Sequence, residues 1–304
     1  MARRHRGRAV NGILLLDKPV GVSSNGALQT VKRLYAAAKA GHTGSLDPLA
    51  TGMLPICFGE ATKFSQYLLD ADKSYRVRAR LGVITDSGDA DGEVLSEHPV
   101  SADAATISAA LMGFVGSIEQ VPSMFSAIKH QGQPLYKLAR QGIEVERKAR
   151  QVTIHGIEVL AVDGAEISFE VSCSKGTYVR SLVEDLGQQL GCGGHVTALR
   201  RLTAGPYPTE RMLTLDQLGA MKESGGFAAI DQQLLPLSTA VADWPAAELG
   251  DNAATYLLQG QAVMANSRPQ AGWVVLIQAS TGRFLGVGEI LEDGRVAPRR
   301  LLAE

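Results

Sequence analysis

The sequence predicts mixed α and β structure (an α+β chain) with a smaller, β-rich domain at its C-terminal end. Three stretches carry that expectation. Tyr75–Leu81 alternates apolar residues with arginines, the period of a strand with one buried face. Val179, Leu182, Val183, Leu186 and Leu190 recur on one helical face, which Gly191 closes. From about residue 242 the texture changes to short strands and turns, as in 273–278 and 283–290 around Ser280-Thr281-Gly282.

Taken in order, residues 1–10 read as a flexible basic arm. A strand follows at 12–17, ended by the Lys18-Pro19-Val20-Gly21 turn, because proline and glycine both punctuate. Ser24 or Asn25 can cap a helix running to about Lys39. Residues 41–52 contain three glycines and a proline and read as a loop. A helix or part-helix is expected over 61–69, the alternating strand over 75–81, an acidic loop over 85–93 and a helix from about 102 to 112. Residues 120–151 read as a basic, helix-containing excursion. A second alternating strand, 165–173, leads into the helix near 179. The domains expected are a larger one over 11–240 and a β-rich one over 245–304.

Composition narrows the function classes. At 304 residues and 45% hydrophobic content the chain is too apolar for a disordered protein, and its length suits about two domains. No apolar run is long enough for a membrane span, and the basic start lacks the apolar core of a signal peptide. Three distant cysteines without a C-x-x-C spacing fit a reducing cytoplasm rather than a disulfide framework. The net charge of −1 hides blocks: residues 1–80 carry 13 Lys and Arg against 5 Asp and Glu, 81–128 carry none against 7, and 129–155 carry 6 against 2. Such blocks suit either a polyanion-binding face or a salt-bridged surface.

Familiar cofactor signals fail. Asp89-x-Asp91-Gly92 resembles part of a calcium loop, but its register puts Ser87 and His98 at the first and twelfth ligand positions, so a solvated acidic turn is expected. There is no P-loop, no G-x-G-x-x-G after a strand and no histidine pair at metal spacing. No metal and no cofactor are expected. What remains is His42-Thr43-Gly44-Ser45-Leu46-Asp47-Pro48-Leu49-Ala50-Thr51-Gly52. Asp47 is either a turn residue before proline or a reactive carboxylate in a glycine-framed loop that a ligand can approach. Arg180 stands near the start of a helix, where the dipole disfavours a cation by up to ~1 kcal/mol, so it calls for a buried carboxylate partner.

GHTGSLDPLATG (41–52) resembles the catalytic loop of the TruB family of tRNA pseudouridine synthases, a loop shared with dyskerin-like synthases. LLLDKPVGVSS (14–24), DKSYRVRARLGVITDSGDADGE (72–93), SKGTYVRSL (174–182) and HVTALRRLTAGPY (195–207) resemble further motifs of that family, in the family's order. The last of these is the family's later substrate loop. Residues 245–304 resemble its PUA-like RNA-binding domain only weakly.

The resemblance implies a mixed, mainly antiparallel sheet with flanking helices. It also implies isomerisation of the T-loop uridine at tRNA position 55, without cofactor or metal. By the same resemblance Asp47 is the catalytic carboxylate, Arg180 its partner and Tyr75 the aromatic that stacks on the base. Tyr178 and Leu199 line the uracil pocket, His42 fills the gap left by the extruded base, and Lys18 with Pro19 supports the pocket. Core packing alone would equally place Tyr75 and Leu199. Extrusion suits the chemistry, since the reacting atoms are out of reach in a stacked loop.

The insert residues Lys129, Lys137, Arg140, Arg147, Lys148 and Arg150 would then hold tRNA phosphates, with Arg3–Arg8 joining; a solvated charged face is the alternative. The expected partner is the tRNA T-stem-loop, with no guide RNA and a monomeric chain. A guide-dependent synthase and an RNA-folding protein are the competing readings.

Overall fold

The computed structural model describes residues 7–302. The chain begins with strand β1 (Gly12–Lys18), helix α1 (Ser24–Leu34), β2 (Ala40–His42) and β3 (Thr51–Phe58). A 3-10 turn leads to α2 (Ser65–Asp70), β4 (Lys73–Leu81), the small hairpin β5 (Val83–Thr85) and β6 (Val94–Glu97), and α3 (Ala104–Met112). Next come β7 (Gly116–Gln120), the hairpin β8 (Lys129–His130) and β9 (Gln133–Pro134), and the short α4 (Leu135–Ala139). The long hairpin β10 (Arg150–Asp163) and β11 (Glu166–Cys173) precedes α5 (Val179–Gln189), β12 (Gly194–Ala204) and α6 (Leu215–Asp231). The C-terminal part comprises β13 (Ala246–Leu249), α7 (Asp251–Leu258), β14 (Gly272–Gln278), β15 (Arg283–Ile290) and β16 (Val296–Leu301).

Eight strands form one sheet in the order β1-β3-β12-β4-β11-β10-β7, with β2 also on β3. Every pair is antiparallel except β12 with β3. The C-terminal strands form a second sheet in chain order. The mainly antiparallel α+β architecture is therefore as expected, and no described helix is long and apolar enough to cross a membrane.

β4 shows why the pattern is reliable. Tyr75, Val77, Ala79 and Leu81 are buried, and pack with Ile167, Phe169 and Val171 of β11 beneath Leu182, Val183 and Leu186 of α5. Full burial of a side chain such as Phe169 stabilises by roughly 1.5–3 kcal/mol. On the opposite face Arg76 pairs with Glu170 and Arg80 with Glu166, directly across the ladder. Those arginines belong to a salt-bridged surface.

The continuous apolar run at 13–16 has another cause: both faces of β1 are covered. Leu14 and Leu16 face α1 and α6, while Ile13 and Leu15 pack with Phe64, Leu68, Val275 and Val287, which joins the C-terminal sheet to the first.

Several expectations need correction. Ser23, not Ser24 or Asn25, caps α1 by accepting from the Gly26 N–H. The helix stops at Leu34 rather than near Lys39, although Ala36–Lys39 has good helix formers. Tyr35 is fully buried with its hydroxyl on the Ile230 carbonyl, and Ala36 takes φ 49°, so tertiary contacts override local propensity. Residues 7–10 are not a free arm: Arg8 pairs with Asp231 and Val10 is buried. Arg3, Arg4 and Arg6 lie outside the described residues.

β3 was hidden by Pro55. The N and O of a strand residue point the same way, and the Pro55 carbonyl accepts from Thr43 N. Its missing N–H therefore falls in the gap where pairing passes from β12, at Gly52, to β2, at Ile56. The stretch 195–204, expected as a loop, is strand β12 at the centre of the sheet.

Gly52, at φ 95°, lies so close to β12 that an added Cβ would sit 2.2 Å from the Arg201 carbonyl oxygen. Gly52→Ala is expected to lower the unfolding free energy by about 2–4 kcal/mol in a denaturant titration, because both strain and backbone overlap must be relieved. A change within about 0.5 kcal/mol, the range of an inconsequential surface substitution, would contradict that packing.

Candidate active site

The loop between β2 and β3 carries Asp47 and is held largely by side-chain clamps on its backbone. The Ser24 hydroxyl, at the start of α1, accepts from Leu46 N at 2.7 Å and donates to Leu46 O at 3.0 Å. Pro48 O accepts from Gly21 N at 2.8 Å. Lys18, fully buried at the end of β1, donates its ammonium to the Pro19 and Val22 carbonyls at 2.8 and 2.6 Å, and to Pro48 O at 3.4 Å. Burial lowers the Lys18 pKa to about 8, with the Asp47 carboxylate acting the other way. The Lys-Pro motif thus anchors the turn and the loop.

Arg180 stands in the first turn of α5 with its side chain only 5% exposed. Its Nε lies 3.0 Å from Asp47 Oδ2, and its Nη1 lies 3.6 Å from Asp89 Oδ2. Nη1 also donates to Ser87 O at 2.7 Å and Nη2 to Phe125 O at 2.8 Å. The expected carboxylate partner is therefore present, together with a second. Asp47 Oδ1 has no hydrogen-bond donor among the described residues, and the Asp47 side chain is 40% exposed. One oxygen is fixed and the other faces the open side of the site. Burial pushes the Asp47 carboxyl above the ordinary aspartate value; Arg180 opposes this most strongly, Asp89 adds to it, and Lys18 and Arg201 oppose it further.

The acidic turn is where the expectation of a solvated surface fails. Asp89 is buried, accepts from Ser87 Oγ at 2.5 Å and from Asp91 N at 3.2 Å, and faces Arg180. The turn is pinned to β12 by bonds from Val196 N to Gly88 O and from Ala90 N to Val196 O. Its acidic spacing reads as a surface turn; only the tertiary fold brings it to Arg180.

Of the other predicted residues, Tyr75, Leu199 and Tyr178 lie beside this pair or its loop. Tyr75 and Leu199 lie on neighbouring strands, both nearly buried, in the cluster that also holds Leu46 and Ala50 of the loop. Tyr178 is the residue before α5, and the Gln120 side-chain amide grips its backbone on both sides, at 2.8 and 3.0 Å. His42 is half-buried on β2 with Nδ1 enclosed and unpaired; burial, then the Arg201 charge, keeps its pKa low and the ring neutral.

The insert has a small core of Met124, Leu135 and Leu138. Lys129, Lys137, Arg140, Lys148 and Arg150 are exposed on it. Arg147 is not: it turns inward, donating to Pro122 O at 3.1 Å and pairing with Glu144, so it differs from the free phosphate contact expected. Ser24, Asp89, Gln120 and Arg201 escaped the sequence reading. Among the described residues, no group of three or more His, Cys, Asp or Glu side chains is placed to hold a metal ion.

Comparison with known proteins supplies the chemistry. The chain matches the TruB family pseudouridylate synthase N-terminal domain over residues 32–179. It matches the tRNA pseudouridylate synthase B C-terminal domain over 180–242 and the pseudouridine synthase II TruB C-terminal region over 245–302. It is 58% identical to tRNA pseudouridine synthase B of Nitrosococcus oceani, covering 99% of this chain and 97% of the relative. For the protein of that name from Ectopseudomonas mendocina the identity is 57%, over 97% and 96%. Among solved structures, a chain of the archaeal box H/ACA sRNP Nop10-Cbf5 complex superposes with a TM-score of 0.73 at 25% identity, covering 99% of this chain and 92% of that one. A chain of a Cbf5-Nop10-Gar1 complex gives 0.72 at 26%, over 96% and 84%.

Two substitutions are expected to move the Asp47 carboxyl titration in opposite directions. Arg180→Gln removes the main charge favouring the carboxylate and raises the titration further; Asp89→Asn removes a repelling charge and lowers it. Infrared difference titration of the carboxyl band measures both, and shifts of the same sign would contradict this electrostatic arrangement.

Proposed function

Since the chain belongs to the TruB family of pseudouridylate synthases, we propose that it isomerises the T-loop uridine at position 55 of tRNA to pseudouridine, with Asp47 as the reacting carboxylate. The observation that carries this reading is the Asp47–Arg180 pair: one carboxylate oxygen held at 3.0 Å by a buried guanidinium, the other open to a substrate.

The reaction is an isomerisation, so no atom or electron enters or leaves overall. The C1′–N1 bond breaks, a C1′–C5 bond forms, the C5 hydrogen is lost and N1 regains one. Such chemistry needs an ionised carboxylate, and a cationic partner that stays charged throughout favours it. The two groups can meet the reacting atoms only if the uridine leaves its stack, which costs a few kcal/mol. Tyr75 offers a face on which the extruded base stacks, Leu199 and Tyr178 bound the uracil, and neutral His42 takes the space it leaves. Arg180 favours the ionised carboxylate in this buried setting, because its guanidinium opposes the effect of burial.

The exposed Lys129, Lys137, Arg140, Lys148 and Arg150 provide phosphate contacts on the insert, and Arg180 donates to Phe125 O at the insert's base. Residues 11–240 serve as the catalytic domain and 245–304 as an RNA-binding one. The chain works as a monomer, and a contribution to tRNA folding is compatible with the same contacts. A guide-dependent enzyme is the second reading, prompted by the fold likeness to chains of H/ACA complexes. Identity of 58% along almost the whole chain with a protein named for tRNA favours the first.

The test is pseudouridine formation in an unmodified T-stem-loop RNA, with no guide and no added metal. Wild type is expected to give product at the T-loop uridine and Asp47→Asn none, while both bind the RNA. Tight binding without product from the wild type would sink the stand-alone reading.

A further inference from the structure

β12 meets both halves of the site at one residue. In the sheet register Arg201 lies opposite Tyr75 on β4 and opposite Gly52, where the Asp47 loop passes into β3. Its side chain continues the same connection. The guanidinium donates to Ser45 O at 2.9 Å, to Met53 O at 3.2 Å and to Gly44 O at 3.3 Å, gripping both ends of the loop. Its carbon also lies 5.7 Å from the centroid of the Tyr75 ring.

Arg201 is 2% exposed, and no carboxylate lies within ion-pair distance of it among the described residues. Burying an unpaired cation is costly, and an apolar side chain would fill the space more cheaply. A guanidinium suits three carbonyls on two stretches of chain, at 44–45 and at 53, because its donors spread over a rigid fork, which an ammonium lacks. Four charged groups act on Asp47 from the surrounding elements: Arg180 on α5, Asp89 in the acidic turn, Lys18 on β1 and Arg201 on β12.

We propose that Arg201 is a positioning residue that holds the Asp47 loop and Tyr75 in one fixed relation. The proposal rests on Asp47 as the reacting carboxylate. It assigns no contact with RNA to Arg201, so the residue acts on the rate and not on affinity.

Single-turnover pseudouridine formation in the T-stem-loop RNA, followed across pH beside equilibrium RNA binding, tests it. In Arg201→Met the rate at neutral pH is expected to fall by about 100-fold, as a displacement of about 1 Å would cause, with affinity within about threefold. The acid limb of its pH profile moves upward, because a cation favouring the carboxylate has gone. Arg201→Lys keeps the charge but not the fork: its rate falls by about tenfold, with the acid limb near the wild-type position. Wild-type rates in both variants would overturn the proposal, as would rate and affinity falling together with the limb unmoved. If thermal melts show that the methionine variant does not fold, the lysine variant decides by the same two readouts. Activity in Asp47→Asn would instead remove the reading of Asp47, whatever Arg201 does.

Discussion

The site depends on one buried guanidinium. Arg180 sits where the dipole of α5 opposes it, with almost no access to water, and its charge is balanced by carboxylates from two remote loops. Removing either carboxylate leaves a buried charge under-compensated, so each depends on the other two being in place. The same guanidinium gives two further donors to backbone carbonyls, one in the acidic turn and one at the base of the insert. A single side chain thus links the Asp47 loop, the acidic turn and the base of the insert to α5.

The reactive loop has little regular structure of its own, and its precision comes from outside it. Ser24 and Lys18 approach from the side of β1 and α1, and Arg201 approaches from β12. Most of these bonds end on backbone carbonyls, which leaves the side chain of Asp47 to Arg180 and to a substrate. Buried polar groups are costly unless paired, and the loop's carbonyls find donors on Lys18 and Arg201, although Thr43 Oγ1 and Arg201 Nε are buried without a partner among the described residues. Such an arrangement can hold one carboxylate oxygen still while leaving the other accessible.

Local pattern carried what local pattern encodes. The alternation at 75–81 and the helical spacing at 179–190 were legible because each element buries a single face. Asp47 stood out as a lone carboxylate between glycines, and Arg180 as a cation in an unfavourable position; the family likeness then joined them. Asp89 was unreadable for the opposite reason. An acidic, glycine-containing turn looks like surface, and only the long-range contact of that turn with β12 and α5 makes it interior. Arg201 was hidden beside Arg200, which forms a half-exposed pair with Asp17, although strand alternation does put adjacent residues on opposite faces. Pro55 disguised β3, and Ala36–Lys39 suggested more helix than tertiary packing allows.

The most direct measurement is the single-turnover rate at saturating RNA as a function of pH, for the wild type and for Arg180→Gln. If an ionised Asp47 carries the reaction, the wild-type rate falls toward acid with the uptake of one proton. That fall begins above the ordinary aspartate range, because burial holds the carboxyl up. Removing the partner's charge moves the fall to higher pH in Arg180→Gln. A rate that stays flat through the acid range, or a limb at the same pH in both proteins, would contradict the pairing on which the site is built.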